Sequence, residues 1–238
     1  LTLCQVRFTR VLDVADTAFV APFHRAIQAR FPIASPRESM GLEIRVDTGE
    51  PRPVEMPLVR RWQFSDPEDN WTVVLTEDFL ALETRAYESF EDFLERLHEV
   101  IVALVQCISP KIVTRLGLRY INEIRLEQAE WSSAISHELL GPLLARELLG
   151  GALSVEATQQ IALHYAGNQG ININHGVIQS GTAVRPREGK ERLDKPFYLL
   201  DFDAYRGFPL PDGLRMDPER ICHYIDRYNK VIYRLFRW

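Results

Sequence analysis

The stretch "KIVTRLGLRYINEIRLE", Lys111 to Glu127, decides the fold because it reads as one long β-strand in the middle of the chain. Side chains alternate between the two faces of a strand. One face carries Leu116 and Leu118, and the other carries Arg115, Gly117 and Arg119. The first face predicts contact with a core. The second predicts a polar sheet surface whose arginines need partners or water, with room above the glycine for another backbone or a ligand.

A second strand, "YLLDFDAY" from Tyr198 to Tyr205, offers a complement because Asp201 and Asp203 share one face. Three hypotheses follow. Arg115 and Arg119 could form a cross-strand ion-pair ladder with the aspartates, which is the favoured reading. The arginines could instead line a groove that holds a carboxylate or phosphate. Asp201 and Asp203 could also bind magnesium, but no further ligand is evident, so no metal is expected.

Two long helices carry opposite charge. The first helix has an acidic stripe at helical spacing, formed by Glu88, Glu91, Glu95 and Glu99. The last helix has a basic stripe at the same spacing, formed by His223, Arg227, Lys230, Arg234 and Arg237. The plain interpretation is that acids near a helix start and bases near its end suit the helix dipole. The functional interpretation seats a partner on Arg227, Lys230 and Arg234, or joins two copies as a dimer. Tyr224 and Tyr228 are predicted on the buried side, which disfavours nucleic acid.

The elements repeat in order. Three β-rich runs before the helix that Ser89 opens are matched by three runs before a helix that begins at Asp217-Pro218. "LETRAY" at Leu82–Tyr87 resembles "LDFDAY" at Leu200–Tyr205. We therefore predict an α+β protein, one compact unit over residues 1–238. Its antiparallel sheet carries long amphipathic helices on one face and is built from two βββα pseudo-repeats, about 1–127 and 128–238.

Less regular segments lie between these elements. Ser35–Pro57 is predicted as mostly loop around the short strand "LEIRV", and "GNQG" at 167–170 as a tight turn. The run "WSSAISHELLGPLLARELLGG", 131–151, predicts two short helices, and "RPREGKERLD", 185–194, a charged connector. His164 and His175 flank one predicted hairpin and could converge, although a structural role is favoured for each.

Composition excludes several classes. The 238 residues are 46% hydrophobic and 26% charged with a net charge of -5, as in a soluble globular chain rather than a general nucleic-acid binder. The three cysteines form no CxxC pair and are expected to be reduced thiols. No signal peptide, membrane-length apolar run, Walker A loop, GxGxxG, GxSxG or HExxH occurs. The chain opens at Leu1, so we expect that residues were trimmed.

With "RLGLRYINEI", Arg115–Ile124, and "YLLDFDAY" in view, the chain resembles a sporadically distributed family of prokaryotic proteins of unknown function. Members share the R-x-G-L-R-Y-I-N strand and an L-L-D-x-D strand before a final helix. The resemblance implies a cytoplasmic accessory protein and brings no catalytic residues. We therefore expect a non-enzymatic protein-binding component of adaptor, immunity or antitoxin kind, without cofactor or membrane. A small-ligand or metal-dependent enzyme using the charged sheet face is the alternative, and nucleic-acid binding by the last helix is third.

Overall fold

The computed structural model describes residues 1–39, 42–47, 50–55, 59–127, 130–141, 157–179, 183–184, 191–192 and 194–237. In these ranges the chain is α+β, with a large antiparallel sheet and five α-helices. The helices are α1 Thr17–Ile27, α2 Phe90–Cys107, α3 Trp131–Ala134, α4 His137–Leu140 and α5 Pro218–Phe236, and a 3-10 turn spans Leu12–Ala15. The α+β class is thus confirmed.

Fourteen strands are described. The first seven are β1 Thr2–Phe8, β2 Ile33–Ser39, β3 Leu42–Asp47, β4 Glu50–Glu55, β5 Val59–Ser65, β6 Trp71–Leu75 and β7 Phe79–Thr84. The remainder are β8 Ile112–Ile124, β9 Ala157–Tyr165, β10 Gln169–Ile178, β11 Ala183–Val184, β12 Glu191–Arg192, β13 Phe197–Gly207 and β14 Leu214–Arg215. The long strand predicted at Lys111–Glu127 is confirmed as β8.

Contacts divide the chain into two units. The first unit comprises Leu1–Leu118 with Arg206–Asn229, and its strands neighbour one another in the order β2-β5-β6-β7-β1-β8. Its core rings include Phe23 of α1, which packs edge-on against Phe64 at 5.6 Å between centroids. Phe93 of α2 packs against Trp71 at 5.9 Å between centroids, with the two rings tilted by 32°. These aromatic contacts attach the apolar sides of both helices to the sheet.

The second unit comprises Arg119–Tyr205 with Lys230–Trp238, and its strands neighbour one another in the order β8-β13-β10-β9. Trp131, Ile135, Leu140, Val177 and Tyr198 form its buried cluster. β9 and β10 form a hairpin whose register pairs Tyr165 with Gln169. Gly167 and Asn168 in the connecting loop have φ angles of 76° and 56°, a conformation that glycine and asparagine tolerate best. The predicted hairpin turn is confirmed.

The predicted strand "LEIRV" is confirmed as β3, but the prediction of loop for the rest of Ser35–Pro57 is wrong, because β2 and β4 also lie in this segment. Proline lacks an N–H, and its presence argued against strands. Pro51 and Pro53 lie two apart on β4, which pairs with β3, so both missing donors point to the edge away from β3. Pro36 lies on β2, an edge strand paired with β5. Edge positions explain how this proline-rich segment still forms strands.

Of the two short helices predicted in 131–151, the one before Gly141-Pro142 is divided in the structure into α3 and α4, because the chain is extended at Ile135. Residues 142–156 lie outside the described residues, as does most of the charged connector at 185–194. The last helix begins as predicted. Asp217 caps it by accepting a hydrogen bond from the Arg220 N–H at 2.9 Å, directly before Pro218.

Ser89 caps α2, and its replacement gives a simple stability prediction. The Ser89 Oγ accepts a hydrogen bond from the Asp92 N–H at 3.1 Å. Ser89→Ala removes that acceptor and should lower the free energy of unfolding by about 1 kcal/mol in urea denaturation. Ser89→Asp keeps an acceptor at the helix start and should retain the stability. Equal losses in both variants would contradict a capping role.

Candidate functional site

Arg119, Asp201 and Asn174 form a hydrogen-bonded network on the polar sheet face of the second unit. Arg119 of β8 donates from Nε to Asp201 Oδ1 at 2.8 Å and from Nη2 to Oδ2 at 2.7 Å. Asn174 of β10 donates from Nδ2 to the same Oδ2 at 3.2 Å. The strands carrying these residues are neighbours, so one carboxylate on β13 links three strands. Such a two-pronged arginine–carboxylate contact fixes both side chains in orientation.

Burial makes this network asymmetric. The side chain of Asp201 is 4% exposed, whereas that of Arg119 is 40% exposed. The pKa of Arg119 is raised, chiefly by its hydrogen bonds to Asp201, with a further contribution from the charge of Asp203. The guanidinium therefore stays charged, with part of its surface toward solvent. The predicted meeting of Arg119 with Asp201 is confirmed, while the binding role of Arg119, Asp201 and Asp203 stays a prediction.

Metal binding at this carboxylate faces a specific obstacle. Both oxygens of Asp201 already accept hydrogen bonds from a cation or an amide. A divalent ion bound there would lie beside the guanidinium of Arg119, which carries the same sign of charge and repels it. Over the described ranges, no group of three or more His, Cys, Asp or Glu side chains is arranged to hold a metal ion.

Arg115 lies on β8 in the first unit and contacts a different residue type. Its Nη1 donates to Gln5 Oε1 of β1 at 3.3 Å. The space above Gly117 is occupied by this same guanidinium, because a Cβ added at Gly117 would lie 3.2 Å from Arg115 Nη1. Gly117 therefore makes room for an arginine of its own strand. That contact explains why a glycine occupies this position, so a bound ligand is not needed to explain it.

The end of α5 presents an exposed surface of mixed apolar and basic character. Tyr233 and Phe236 are 57% and 53% exposed, unusual values for aromatic side chains. Lys230, Arg234 and Arg237 are exposed as well, and the Arg237 guanidinium lies 5.7 Å from the Tyr233 ring centre. Spacings of three and four place Lys230, Tyr233, Arg234 and Arg237 on one helix face, and Phe236 lies beside it, three residues after Tyr233. We call these five residues the α5 end surface.

Arg227, the third predicted basic site residue, lies earlier on α5 and is exposed. It is counted in the first unit, whereas Lys230 and Arg234 are counted in the second. Sequence analysis identified the basic residues but not Tyr233 and Phe236. The signal for Tyr233 was available, because it directly follows the buried Ile232 and so turns away from the buried face of the helix. Phe236 lies four residues after Ile232, so helical spacing alone predicts it as buried, and its exposure appears only in the structure.

The acidic stripe predicted on α2 is partly neutralised within the chain. Arg30, just after α1, contacts Glu95 at 2.7 Å and Glu99 at 2.8 Å. These carboxylates therefore already have a cationic partner. The arrangement weakens the hypothesis that the acidic stripe of one copy binds the basic stripe of another.

His164 and His175 do not converge. In the hairpin register His164 pairs with Gly170 and His175 pairs with Gln159, which places the two imidazoles on opposite faces of the sheet. His175 is buried, and its Nδ1 lies 2.7 Å from Tyr198 Oη. Tyr198 donates its single hydroxyl hydrogen to the Leu139 carbonyl at 3.1 Å. His175 Nδ1 must therefore carry the hydrogen that this contact needs.

Burial sets the charge states of this buried pair. It lowers the pKa of His175 and raises that of Tyr198 to about 12. Both side chains are consequently neutral near pH 7. Their position beside Trp131, whose ring packs edge-on against Tyr198 at 5.9 Å, marks them as structural core residues. The structural role favoured for His175 agrees with this environment.

The three cysteines are free, with Cys4 and Cys222 buried and Cys107 half-buried. Burial raises the pKa of Cys222 to about 11 and that of Cys4 further. Burial also raises the pKa of Cys107. A thiol is a nucleophile only as the thiolate. These settings therefore suit packing rather than covalent catalysis.

Comparisons with models of protein families, with curated proteins and with solved structures found no match. The helices within the described ranges include none with both the length and the apolar character needed to cross a bilayer.

Proposed function

We propose that the chain is a non-enzymatic, protein-binding accessory component of a prokaryotic cytoplasmic system, of adaptor, immunity or antitoxin kind. It would belong to the sporadically distributed family that its two strand motifs resemble. The observation that carries the binding proposal is the α5 end surface. Two exposed aromatic rings beside three cationic side chains have the composition of an interface anchor, since aromatic residues and arginine dominate binding energy at protein interfaces.

The chemistry of this surface defines the partner. Tyr233 and Phe236 would bury apolar area, and Lys230, Arg234 and Arg237 would meet acidic side chains. A partner with an apolar patch flanked by aspartates or glutamates therefore fits best. The overall charge of -5 makes this basic patch a local feature that can orient such a partner.

Affinity capture from the native host tests the proposal. The wild-type chain should retain one protein in stoichiometric amount, and Tyr233→Ala combined with Phe236→Ala should reduce binding of that purified protein by at least about tenfold. Arg220→Glu is the matched control, because Arg220 is exposed on the same helix outside the α5 end surface. Absence of a stoichiometric partner, or equal binding by both variants, would overturn the proposal.

Nucleic-acid binding is the second candidate, and Tyr233 is the observation in its favour. An exposed aromatic ring among basic side chains is the arrangement that stacks on an unpaired base. Binding to labelled single-stranded DNA or RNA should then weaken steeply with salt and be lost in Arg227→Glu and Arg234→Glu. No binding at low salt would remove this candidate.

The ligand-binding or enzymatic alternative rests on the polar sheet face around Arg119. The exposed part of its guanidinium has the donors for a carboxylate or phosphate, although Asp201 already engages two of them. Thermal denaturation with a panel of carboxylates, phosphates, nucleotides and divalent cations tests this alternative. A ligand that raises Tm in the wild type but not in Arg119→Met would support it, and a flat panel would exclude it.

We also propose that the chain contains an internal duplication. β5, β6 and β7 are consecutive neighbours followed by α2, and β9, β10 and β13 are consecutive neighbours followed by α5. β7 also neighbours β1, as β13 neighbours β8, and the similar segments Leu82–Tyr87 and Leu200–Tyr205 begin on these equivalent strands. This correspondence matches β8 with β1, which would move the boundary between the halves to before Ile112. Superposing the two sets of elements in an experimental structure tests it, because differing strand directions would contradict a duplication.

Long helices on one face of the sheet belong to the same proposal. In the β5–β6 register Phe64 pairs with Val73, so Phe64 lies on the same face as Trp71. Phe23 of α1 contacts Phe64, and Phe93 of α2 contacts Trp71. These contacts support a shared face for the two helices of the first unit. The same experimental structure would test this arrangement.

A further inference from the structure

The two edge strands of the described sheet differ in how they resist pairing with another chain. An edge strand exposes unpaired N–H and C=O groups, and proteins protect such edges with prolines, charged residues or bulges. β2, the edge strand of the first unit, has the sequence "IASPRES" with Pro36, Arg37 and Glu38. β9, the edge strand of the second unit, has the sequence "ATQQIALHY" with no proline, glycine, lysine, arginine or acid.

β9 also has the geometry of an available edge. Its nine residues pair with β10 without interruption, from Ala157 opposite Val177 to Tyr165 opposite Gln169. Along it, residues 158–162, 164 and 165 are exposed. Ile161 and Tyr165 are 39% and 51% exposed, although the β10 neighbour of Ile161 is buried and that of Tyr165 is half-buried. A regular, uncharged and partly apolar edge is suited to extension by one more strand.

We infer that β9 pairs antiparallel with β9 of a second copy of the chain, and that the two strands meet at Ala162. In this register Ala162 faces Ala162 of the second copy, Ile161 faces Leu163, Gln160 faces His164 and Gln159 faces Tyr165. The apolar pair occurs twice by symmetry on one face, and the Gln–His pair occurs twice on the other. Cross-strand pairs of this kind stabilise a sheet, and a two-fold axis requires such self-complementarity.

The choice of a second copy as the occupant rests on two features of β9. An uncharged strand meets an identical strand without the like-charge repulsion that a lysine or glutamate would cause. In an antiparallel pair of two β9 strands centred on Ala162, each side chain also faces a suitable one, whereas an unrelated strand would supply such a match only by chance. Seven residues of each copy, 159–165, pair in this register, so the contact is small for a stable dimer. The dimer should therefore exchange with monomer and depend on concentration.

Sedimentation equilibrium of the purified chain alone tests the inference independently of the proposed function. The weight-average mass should rise with concentration from 27.5 kDa toward twice that value. Ala162→Lys and Ala162→Glu, each measured separately, place like charges opposite each other and should give only the single-chain mass. Their equimolar mixture should recover the dimer, because lysine then faces glutamate. Recovery in the mixture also shows that both variants are folded.

Thr158→Lys is the matched control, because Thr158 is exposed on the same face of β9 but outside the paired segment. It should leave the mass increase unchanged. A wild-type chain that stays monomeric at every concentration would overturn the inference, and would point to a different occupant or none. Dimers in both single variants, or no recovery in their mixture, would equally overturn it.

Discussion

Replacing Asp201 by asparagine is expected to lower the free energy of unfolding by about 2–3 kcal/mol, since hydrogen bonds to charged groups contribute about 1.5–3 kcal/mol. The substitution keeps the shape of the side chain but removes its charge. It also replaces one acceptor oxygen with an NH2 group, which faces the donors of Arg119 or Asn174. Arg119 stays partly in contact with water, so the loss falls short of that for a fully buried ion pair. Urea denaturation followed by circular dichroism measures this change.

Glu123→Gln is the control for this prediction. Glu123 lies on β8 in the same unit, and its exposed carboxylate contacts Arg125 at 2.6 Å. The same change of charge there should cost less than about 1 kcal/mol, since ion pairs open to solvent are weak. The difference between the variants isolates the buried contacts at Asp201. Equal losses would show that net charge, rather than the three-strand network, governs stability.

The Arg119–Asp201 contact could be predicted from sequence because it depends on strand alternation and on arginine's reach. The contact between Arg115 and Gln5 could not, since Gln5 is 110 positions away and carries no charge to indicate complementarity. Which strands neighbour one another is a property of long-range pairing, whereas alternation is local. The predicted pairing of arginines with aspartates is therefore confirmed for Arg119, and for Arg115 it stays a prediction.

The histidine pair shows where hairpin register matters. Sequence analysis predicted the turn at 167–170 but not the exact pairing across it, and a shift of one residue reverses every side chain. With the observed register, His164 faces the polar side and His175 the core. The exposure of β9 was similarly hidden, because an uncharged strand of alternating character is usually taken as half-buried. Its edge position follows from the strand order alone.

The polar sheet face and the two exposed surfaces suggest a division of roles within the second unit. The Arg119–Asp201–Asn174 network fixes β8, β13 and β10 relative to one another. The network holds β10 in place, and every residue of β9 pairs with β10. The edge formed by β9 therefore has a defined shape before a second copy binds. Preorganisation of this kind reduces the entropy cost of association. Loss of Asp201 should therefore weaken self-association as well as stability.

Acidification is expected to destabilise the wild-type chain through His175. Burial lowers the pKa of this imidazole in the folded state, whereas the unfolded chain binds a proton with a pKa near 6.5. Below that pH the unfolded state holds more protons than the folded state, so stability falls as pH falls until the folded pKa is reached. Each pH unit within this window costs up to about 1.4 kcal/mol. Above about pH 6.5 this contribution is fully retained.

Comparison of the wild type with His175→Gln isolates this contribution from the other five histidines. The glutamine can donate to Tyr198 Oη through its amide but does not titrate, so the variant should be less stable near pH 7 yet lose less stability between pH 6.5 and 5. Urea midpoints measured at intervals across that range provide the two slopes. Parallel slopes would mean that His175 becomes protonated in the folded chain as readily as in the unfolded one, which its burial beside Tyr198 opposes.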